Sequence, residues 1–596
     1  MAHPIGCVFQ SMGEFFVPDP TAETLASSSQ GLWMSTECYP IATLLHTTRL
    51  FRDFLAMGDS AADAPLRHWY GAEPLGRAWM QPAAPSANAS ALADALERQS
   101  LSFGAGPSTL ANIAKLRTGA RAVVTGQQVG LLGGPLLTLF KAATAVARAK
   151  QATATTGVEH VPIFWLATED HDLEEVDQVS LLTKTSVETL RLGVKSPHHA
   201  APVGNIPLGS SIDALLDHAS DLLGHVPICD LLRECYSQSS TFGSAFARLM
   251  TRLFGDHGLI VMDAASRDFH ALGESALRHA IEHAEEFEAA LLSRATELES
   301  AGYHAQVLVK PGASLLFLVI DANGSQERHA LRRLPDGTWK AGAGNSAQSF
   351  TTADLLAILD QAPERLSPNA LLRPVFQDTI LPTTAYIGGP AEVAYFAQSS
   401  VLYEQILCRT TPILPRLSAT LIEPAIGAVM AQHEVSLPDA MQATDELAQR
   451  LGARAMPIEA KRRLAAAGNA LDEALTAAQD YLGTLDASLG KSAEVSASKM
   501  RYQMDRLRRL AATFELNKEA SLRKHAEAMT LHLFPEGHPQ ERVIAGAWFL
   551  AAYEAIHPES PTAAPGTGLI ARLVEEAASQ CPGHIVIRLS PTPQQS

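Results

Sequence analysis

Apolar positions in the first fifth of the chain recur at intervals close to the period of an amphipathic helix. Two series show the pattern: Leu92, Leu96 and Leu101, then Leu110, Ile113 and Leu116. Both series are interspersed with polar residues, so that one face of each predicted helix is apolar and the opposite face is solvated. The pattern predicts a helical region over residues 1–120.

From residue 121 onward the chain alternates short apolar runs with helical stretches. The β-branched run 121–125 and the apolar run Val161–Ala167 predict two buried strands, and a helix is predicted between them, from about Leu136 to Lys150. A strand, a helix and a second strand form a βαβ unit, whose strands are parallel and whose crossover is right-handed. We therefore predict an α/β fold with a parallel sheet core over residues 121–420.

Further strand candidates extend this core. Gly258–Ala264 predicts a strand followed by one long helix from about Asp268 to Ser300, and Thr379–Ile387 predicts a strand that leads into a helix. Antiparallel hairpins are predicted by three more runs with turn residues between them: Val307–Lys310, Ser314–Asp321 and His329–Lys340. Thr411–Pro415 is the last strand candidate before the pattern becomes wholly helical.

Residues 421–530 predict a helical coiled-coil domain, because their apolar positions follow steps of three and four over more than three heptads. The two apolar seams are Leu464, Leu471, Leu475, Ala478, Leu482, Leu485 and Leu489, then Met500, Met504, Leu507, Ala511 and Phe514. We predict an antiparallel pair of arms about 40 Å long that reverses at Gly490 and the polar stretch KSAEVS after it. Residues 531–596 are expected to pack back on the core or on the coiled coil.

Composition and charge narrow the class of protein. Of the 596 residues 46% are apolar and 18% are charged, which excludes a disordered chain. The formal charge of −17 disfavours non-specific nucleic-acid binding. The N-terminus does not match a secretory signal, and the most apolar long window, residues 122–147, is interrupted by Gln127, Gln128 and Lys141. We expect a cytoplasmic protein that contacts neither nucleic acid nor membrane.

Cysteine is sparse in this chain. There are six: Cys7, Cys38, Cys229, Cys235, Cys408 and Cys581. No CxxC pair occurs, and the closest spacing, from Cys229 to Cys235, suits neither a zinc knuckle nor a redox motif. We expect six reduced and mostly buried thiols.

A glycine-rich segment, TGQQVGLLGGP, joins the first predicted core strand to its helix. Backbone amides around Gly126, Gly133 and Gly134, together with the helix dipole, favour an anion. The amides of Gln127 and Gln128 can hydrogen-bond a polar ligand. The spacing matches neither a dinucleotide fold nor a P-loop, and glycines also serve a tight turn that binds nothing.

The polar segment TEDHD follows the second predicted core strand. Ligands of parallel α/β sheets bind at the carboxyl ends of the strands, which is where Glu169 and its neighbours would lie. His171 could be a general base oriented by Asp170 or Asp172, or a metal ligand. The alternative is a solvated turn in which Asp172 caps the next helix together with Glu175.

Two later segments carry candidate polar residues. Residues 377–396 repeat the layout of strand, glycine turn and helix, and their candidates are Asp378, Tyr386, Gly388, Gly389 and Glu392. In LFPEGHPQER (533–542), His538 and Arg542 could bind phosphate. A simple turn and a loop between helices are the respective alternatives.

Taken together, these segments resemble the bacillithiol biosynthesis cysteine-adding enzymes. The matching stretches are VVTGQQVGLLGGPLLTLFKA, VPIFWLATEDHDLEEV, RPVFQDTILPTTAYIGGPAEVAYFAQ, PILPRLSATLIEP and LFPEGHPQERV. The resemblance implies a Rossmann-like core similar to class I aminoacyl-tRNA synthetases, with insertions at about 190–250 and 305–350. It also implies a coiled coil that forms a homodimer. The HIGH and KMSKS motifs of the synthetases are missing, so adenylation by ATP does not follow from that fold analogy.

The resemblance implies that L-cysteine is joined to the amine of glucosaminyl-malate. His171 with Asp170 or Asp172 is then the candidate base, and no metal ligand is assigned. The candidate substrate-binding residues are Gly126, Gln127, Gln128, Glu169, Asp378, Tyr386, Gly388, Gly389, Glu392 and Arg416. The candidate nucleotide-binding residues are Gly133, Gly134, His538 and Arg542, with ATP and Mg²⁺ as a possible source of activation. Lys141, Arg373 and Arg416 are available to bind the carboxylates of malate.

Two other functions fit the same sequence. One is an adenylate-forming or nucleotidylyl-transfer enzyme of different specificity. The other is a non-catalytic coiled-coil scaffold. The scaffold hypothesis predicts that the segments TGQQ, TEDHD and IGGPAE do not meet in space, whereas an enzyme requires that they do.

Overall fold

The computed structural model describes residues 36–589, except 42–43, 45–46, 59, 82, 195–200, 323–324, 343–346, 558–563, 580 and 582. The β-strands in this part of the chain are β1 (Thr36–Tyr39), β2 (Arg121–Gln128), β3 (His160–Ala167), β4 (Gln178–Leu182), β5 (Val187–Arg191), β6 (Ile260–Asp263), β7 (Ala313–Ala322), β8 (Ser325–Arg333), β9 (Trp339–Ala341), β10 (Gln348–Phe350), β11 (Leu366–Pro368), β12 (Thr383–Gly388), β13 (Ile413–Pro415), β14 (Ala419–Ile422) and β15 (His584–Arg588).

The helices of the first two thirds of the chain mostly cover sheets. They are α1 (Arg49–Leu55), α2 (Ala64–Tyr70), α3 (Ala89–Ser102), α4 (Pro107–Arg117), α5 (Leu137–Thr156), α6 (Leu173–Val176), α7 (Ser211–Leu223), α8 (Pro227–Cys235), α9 (Phe242–Phe254), α10 (Arg267–Leu272), α11 (Glu274–Glu282), α12 (Ala284–Ser300), α13 (Thr352–Gln361), α14 (Arg373–Ile380) and α15 (Pro390–Leu407). The remaining helices are α16 (Pro424–Gln432), α17 (Leu437–Ala440), α18 (Thr444–Ala455), α19 (Ile458–Leu485), α20 (Ala487–Lys518), α21 (Ala520–Leu533), α22 (Gln540–Val543), α23 (Gly546–Ile556) and α24 (Thr567–Ala578).

The central sheet has five parallel strands in the order β13-β12-β2-β3-β6. Numbered along the chain, these strands run 5-4-1-2-3, which is the order at the centre of a Rossmann sheet. Their apolar runs are buried on both faces, as parallel strands require. The predicted α/β fold with a Rossmann-like parallel core is therefore confirmed.

The two faces of this sheet carry two separate apolar cores. One core joins α5, α9, α23 and α24 to Phe164 and Leu166 of β3. The other joins α1 to α4 and α10 to α15 to Trp165 of β3 and Tyr386 of β12. Alternate residues of a strand point to opposite faces, which explains why neighbours on β3 belong to different cores.

Two of the predicted elements in this region are wrong in detail. The long helix expected from Asp268 to Ser300 is three helices, α10, α11 and α12, because the backbone departs from helical geometry at Gly273 and at His283. At residue 273 a Cβ would lie 2.3 Å from the Phe376 ring, so only glycine fits there. The strand expected over Thr379–Ile387 begins only at Thr383, because the preceding residues form α14. The apolar run at this point fits a short buried helix as well as a strand, and periodicity alone does not distinguish them.

The second five-stranded sheet, in the order β10-β9-β8-β7-β11, is antiparallel throughout. It confirms the predicted hairpins over Ser314–Asp321 and His329–Lys340. Val307–Lys310 is not a strand. Its Val307 instead exchanges backbone hydrogen bonds with the Gln398 side chain, which satisfies the polar groups that a strand partner would have satisfied.

The predicted antiparallel arms are α19 and α20, which pack against each other along their length. The reversal lies at Leu485 and Asp486, not at Gly490 and the stretch after it. The Asp486 carboxylate caps α20 by accepting hydrogen bonds from the Ser488 and Leu489 amides. Gly490 lies inside α20, where its missing side chain lets the two arms approach: a Cβ there would be 3.2 Å from the Cα of Gly483.

The third sheet joins the two ends of the described chain in the order β1-β15-β14. Thr411–Pro415 is thus not the last strand, because β14 and β15 follow it. Both are too short and too isolated among helices to be recognised from periodicity. The C-terminal segment contributes β15, which lies between β1 and β14 in this sheet.

A disulfide links Cys38 and Cys581, whose Cα atoms are 6.0 Å apart. The expectation of six reduced thiols is therefore wrong for these two residues, which the third sheet brings together. Cys229 and Cys235 are free and buried, and Cys408 is free and exposed. Cys7 lies outside the described residues.

Reducing this disulfide should lower the thermal stability, because the bond closes a very long loop and such bonds contribute about 2–4 kcal/mol. We expect a reductant to lower the Tm of the wild-type protein in differential scanning calorimetry. Cys38→Ser should show the lower Tm without reductant and respond to it no further. The matched control, Cys408→Ser, should keep the wild-type response. An equal Tm for the wild-type protein and Cys38→Ser under oxidising conditions would contradict the prediction.

Candidate functional site

Three of the segments selected from the sequence meet at the carboxyl edge of the central sheet. TGQQ ends β2, TEDHD follows β3, and IGGPAE ends β12, and these three strands are neighbours in the order β12-β2-β3. The chain order reverses between β2 and β12, since β3 and β6 extend the sheet on one side and β12 and β13 on the other. Such a switch point is where open α/β sheets bind ligands.

A buried ion pair lies at this switch point. The Lys141 ammonium of α5 is 2.8 Å from a carboxylate oxygen of Glu392 on α15, and the two side chains are 5% and 13% exposed. The ammonium also donates to the Gly126 carbonyl at 2.7 Å and to the side-chain oxygen of Gln127 at 2.9 Å. Burial lowers the pKa of Lys141, and Arg373 nearby adds to that effect against the attraction of Glu392.

Glu392 is the acceptor of a complete hydrogen-bond set. Besides Lys141, the Tyr386 hydroxyl donates to it at 2.8 Å and the Gly389 amide at 2.7 Å. Burial would raise the pKa of Glu392, but the adjacent Lys141 ammonium and these donors lower it. The glycine at 126 permits this arrangement, because a Cβ there would lie 3.4 Å from the Tyr386 hydroxyl and 3.1 Å from the Trp165 carbonyl.

Arg373, the first residue of α14, lies beside Tyr386 and Glu392. Its guanidinium donates to the Tyr395 hydroxyl at 2.5 Å, and its Cζ is 6.0 Å from the centre of the Tyr386 ring. Burial disfavours its charge, yet Tyr395, Tyr386 and Glu392 raise the pKa of Arg373 above its usual value. None of the described carboxylates forms a salt bridge with it, so this cation is available to an anionic ligand.

Arg416, just after β13, is fully engaged by the protein. Its guanidinium is 2.6 Å from Glu541, with both side chains 5% exposed, and it also donates to the Leu417 carbonyl. Glu541 further accepts from the Ala419 amide, and its neighbour Gln540 exchanges hydrogen bonds with the backbone of Leu421. Arg416 thus lies beside the switch point, where a Cβ on Gly389 would be 3.3 Å from its Nε, but Glu541 neutralises it.

The polar turn after β3 differs from the predicted catalytic arrangement. Asp170 accepts hydrogen bonds from the Gln128 side chain and from the backbone amide of His171, and its carboxylate is 3.6 Å from the His171 ring nitrogen. Asp172 caps α6 by accepting from the Glu175 amide, as the structural alternative predicted. The His171 side chain is 43% exposed and has no carboxylate at hydrogen-bond distance. Within the described residues, therefore, no carboxylate hydrogen bond orients the His171 imidazole.

Glu169, in the same turn, is held by residues that the sequence did not single out. His270 of α10, whose side chain is 0% exposed, lies 2.8 Å from one Glu169 carboxylate oxygen. Burial opposes both charges, but their attraction raises the pKa of His270 and lowers the pKa of Glu169. Arg328 of β8 adds to the lowering of the Glu169 pKa, and its Cζ lies 3.8 Å from the Phe317 ring centre.

The glycine turn at 130–134 is occupied by the protein itself. The Gly133 amide donates to the hydroxyl of Tyr236, just after α8, at 3.0 Å, and that hydroxyl donates to the Gly130 carbonyl. The Gly134 amide donates to the Leu131 carbonyl. These amides have no hydrogen left for a phosphate, which does not support the nucleotide-binding role predicted for Gly133 and Gly134.

Three predicted residues remain: Asp378, His538 and Arg542. Asp378 is buried and accepts from the Tyr403 hydroxyl at 2.7 Å and from the Gln377 side chain at 3.0 Å. His538 and Arg542 are exposed, whereas the neighbours Gln540 and Glu541 are the buried ones. Charge made the two exposed residues conspicuous in the sequence. The burial of the other two is a tertiary property.

No group of three or more His, Cys, Asp or Glu side chains that could hold a metal ion occurs within the described residues. A cavity of about 40 Å³ lies between α12 and β7, and its one ionisable side chain, Glu288, already accepts from the Gly312 amide. It shares no residue with the carboxyl edge. None of the helices in the described part is both long and apolar enough to cross a membrane.

Comparison with known proteins gives matches along most of the chain. The family model described as bacillithiol biosynthesis BshC, N-terminal Rossmann-like domain, matches residues 34–417, and the model of the C-terminal coiled-coil domain matches residues 419–557. A relative from Koribacter versatilis, named "Putative cysteine ligase BshC", is 41% identical over 93% of this chain and 100% of its own length. A relative of the same name from Solibacter usitatus is 34% identical over 93% of this chain and 100% of its own length.

Among the solved structures that match is one described as a putative arginyl-tRNA synthetase from Campylobacter jejuni. It is 10% identical, with a TM-score of 0.20, over 77% of this chain and 97% of its own.

Proposed function

The chain belongs to the bacillithiol biosynthesis BshC family, and from this we propose that it is a ligase that joins the carboxyl group of L-cysteine to the amine of glucosaminyl-malate. Relatives that match it over nearly their whole length are named as cysteine ligases, which supports the formation of a C–N bond. The convergence of TGQQ, TEDHD and IGGPAE at one edge argues against the scaffold hypothesis, which predicted that they lie apart.

The observation that carries the choice of acceptor is the excess of positive charge at the switch point. Lys141 and Arg416 are each neutralised by a buried glutamate, and Arg373 is not. A half-buried guanidinium without a carboxylate partner favours an anion, and its planar donors suit a carboxylate. Malate supplies two carboxylates, so we place the malate end of the acceptor at Arg373. The hydroxyls of Tyr386 and Tyr395 lie beside the guanidinium and would help to orient that end.

The reaction requires an activated carboxyl group and a neutral amine at the carboxyl edge of the central sheet. Joining a carboxylate to an amine in water is uphill, so the cysteine carboxyl must be activated. The acceptor ammonium must lose its proton before it attacks. Gln127 and Gln128 end β2, which lies between β3 with its polar turn and β12 with the Lys141–Glu392 pair. From there their side chains would hold the reacting carboxyl by hydrogen bonds.

ATP with Mg²⁺ stays a proposal for the source of activation. The predicted phosphate-binding amides of Gly133 and Gly134 are engaged, and His538 and Arg542 are exposed side chains. The engaged amides do not fit a nucleotide, whereas His538 and Arg542 face solvent, where a phosphate could reach them.

We also propose a homodimer formed through the coiled coil. The arms α19 and α20 expose large apolar side chains that neither arm covers: Ile458, Tyr481, Leu485, Leu489, Val495, Met500, Tyr502, Leu507, Leu510 and Phe514. Apolar surface on this scale is typical of an interface between chains.

The function is tested by incubating the purified protein with L-cysteine and glucosaminyl-malate, with and without ATP and Mg²⁺, and by detecting bacillithiol by mass spectrometry. We expect product in the complete mixture. Its absence, with an active relative as positive control, would overturn the proposal. Product formed without ATP would show that another donor activates cysteine.

The position of malate is tested with Arg373→Gln. Loss of a hydrogen-bonded charge contact costs about 1.5–3 kcal/mol, so we expect KM for glucosaminyl-malate to rise about 10- to 100-fold. A methyl glucosaminide, which lacks the malate carboxylates, should react equally poorly with both proteins. Arg365→Gln, which replaces a guanidinium that donates to a backbone carbonyl, is the matched control. A KM for glucosaminyl-malate that is unchanged in Arg373→Gln would refute this placement.

A further inference from the structure

Glu169 is a carboxylate with one oxygen anchored and the other open. Oε1 pairs with the fully buried His270 at 2.8 Å, and the Glu169 side chain remains 21% exposed. No hydrogen bond to Oε2 is formed by the residues that the structure describes. Arg328, itself buried and held by Ser367 and the Pro368 carbonyl, lies close enough to stabilise the negative charge.

The position of Glu169 relates it to the anion site at Arg373. Phe376 packs 5.3 Å from the His270 ring and 6.2 Å from the Trp165 ring, and it lies one turn after Arg373 on α14. Both charged groups therefore lie on the same face of the central sheet. Glu169 follows β3, and Arg373 lies beside Tyr386 of β12; these two strands are separated by β2 and so lie about 10 Å apart.

The other carboxylates of this edge have partners of a different kind. Asp170 accepts from Gln128 and a backbone amide, and Asp172 caps α6. Asp263, at the end of β6, accepts from the Thr168 hydroxyl and the Ala265 amide. Glu392 is bound by Lys141, as described above. Asp170 and Glu392 accept through both oxygens, whereas Asp172 and Asp263 each accept through one oxygen and from neutral donors. Glu169 is the one among these groups that a buried imidazole anchors through one oxygen while the other oxygen stays without a hydrogen bond from the described residues.

We propose that Glu169, positioned by His270, binds the α-ammonium group of the amino-acid substrate at the carboxyl end of β3. This inference rests on the proposed function for the identity of that amino acid, L-cysteine. The site then has a negative end for the donor and a positive end for the acceptor. The carboxyl carbon of an amino acid is two bonds from its nitrogen, so it would lie between them, beside Gln127 and Gln128.

The chemistry of the ligation explains why such a carboxylate is useful. The substrate mixture contains two amines, and the amine of cysteine must not attack an activated carboxyl. A carboxylate kept ionised by His270 and Arg328 is a weak base, so it leaves the proton on the ammonium that it binds. The bound cysteine nitrogen therefore has no lone pair, and the acceptor amine is the nucleophile that remains.

Binding measurements on the full-length protein test this proposal. The probes are L-cysteine and 3-mercaptopropionate, which has the same thiol and carboxylate but no ammonium. By isothermal titration calorimetry at pH 7 we expect the wild-type protein to bind L-cysteine about 10- to 100-fold more tightly. Glu169→Gln should abolish this preference and leave the affinity for 3-mercaptopropionate within about twofold. Glu174→Gln, the same substitution at an exposed position in the next helix, is the control and should keep the preference.

The preference is a ratio within one variant, so a partly unfolded sample leaves it unchanged. If Glu169→Gln does not fold, because His270 is left charged and buried, the double variant Glu169→Gln/His270→Gln removes both charges and should likewise show no preference. Equal affinities in the wild-type protein, or a preference retained in these variants, would overturn the proposal. Bacillithiol formation together with a retained preference refutes this inference alone. A lost preference without bacillithiol formation refutes the proposed function and keeps the ammonium site.

The positioning role of His270 has a pH-dependent readout. The charged groups that face Glu169 are His270 on α10, Arg328 on β8 and Asp263 on β6. In the wild-type protein the preference for L-cysteine should disappear as pH falls through the lowered pKa of Glu169. His270→Gln removes the main cause of that lowering, so the midpoint should move to higher pH. A merely structural role of His270 would weaken both ligands without moving the midpoint, and that result would refute the positioning role.

Discussion

Lys141→Met is expected to destabilise the protein by about 3–5 kcal/mol, because it leaves the Glu392 carboxylate buried without its ammonium partner. Methionine fills most of the volume of the lysine stem, so the effect reports the lost charge and not a cavity. The same change should reduce ligase activity by at least tenfold, since the Glu392 group holds Tyr386 and Gly389 at the switch point. Urea denaturation followed by circular dichroism measures the stability, and product formation at saturating substrate measures the activity.

The matched control for this variant is Lys518→Met. Lys518 pairs with Glu515 at 3.3 Å but is 63% exposed, and exposed pairs contribute about 0–1 kcal/mol. Lys141→Met/Glu392→Gln removes both charges and should recover part of the lost stability, but not the activity. If Lys141→Met were as stable as Lys518→Met, the buried ion pair would not have the importance that we assign to it.

Glu541→Gln is expected to destabilise the protein by a similar amount, about 3–5 kcal/mol, because Arg416 would keep its charge in a buried position. Glu541 accepts hydrogen bonds from Arg416, Ser418 and the Ala419 amide, and it thereby fixes the segment that connects the central sheet to β14. Thermal unfolding by calorimetry is the measurement. Glu536→Gln, at an exposed position in the turn before α22, should change the stability by less than about 0.5 kcal/mol.

The pH dependence gives this second prediction a distinct signature. Burial would raise the pKa of Glu541, but Arg416 lowers it. A carboxylate with a lowered pKa in the folded state stabilises above its unfolded pKa, about 4.3, and this contribution is lost as pH falls through the folded value. The stability difference between the wild-type protein and Glu541→Gln should therefore be constant above about pH 5 and shrink below pH 4. A difference that does not depend on pH in this range would contradict the assignment.

His584 also reduces the stability at acid pH, both in the wild-type protein and in Glu541→Gln. Burial lowers its pKa to about 4, and its ring nitrogens contact Ser418 and Thr420. A histidine that is neutral when folded loses stability as pH falls below its unfolded pKa, near 6.5. The wild-type protein should thus begin to lose stability at a higher pH than it would if Glu541 were the titrating group and His584 were not.

The elements of the core could be predicted because their signals are local. The apolar runs of β2 and β3 and the glycines that follow β2 and β12 depend on residues within a few positions of each other. Parallel pairing follows from the βαβ connection, and the rule for carboxyl ends then placed Glu169 and Gln128 at one edge. The same local reasoning was wrong where a short apolar run fits two structures, as at α14.

The partners of the charged residues could not be predicted, because each pair joins residues far apart in the chain. Nothing near Glu169 in the sequence indicates His270 or Arg328, and the hairpin that carries Arg328 has little of the family resemblance. His171 was the more conspicuous residue, but a conspicuous side chain in the sequence can lie in solvent in the fold. Cys38 and Cys581 illustrate the same limit, since their pairing depends on a sheet built from both ends of the described chain.

The −17 charge of the chain indicated that an acidic substrate would need a local excess of positive charge. Lys141, Arg373 and Arg416 were the cations available in the matching segments. Sequence alone thus determined the parallel core, the edge that holds the site and the set of residues that could serve there. The choice among those residues came from packing, which pairs Lys141 with Glu392 and Arg416 with Glu541 and leaves Arg373 without a carboxylate. The reason is physical: local patterns depend on neighbours along the chain, whereas the energy of a buried charge depends on the residues that the fold brings around it.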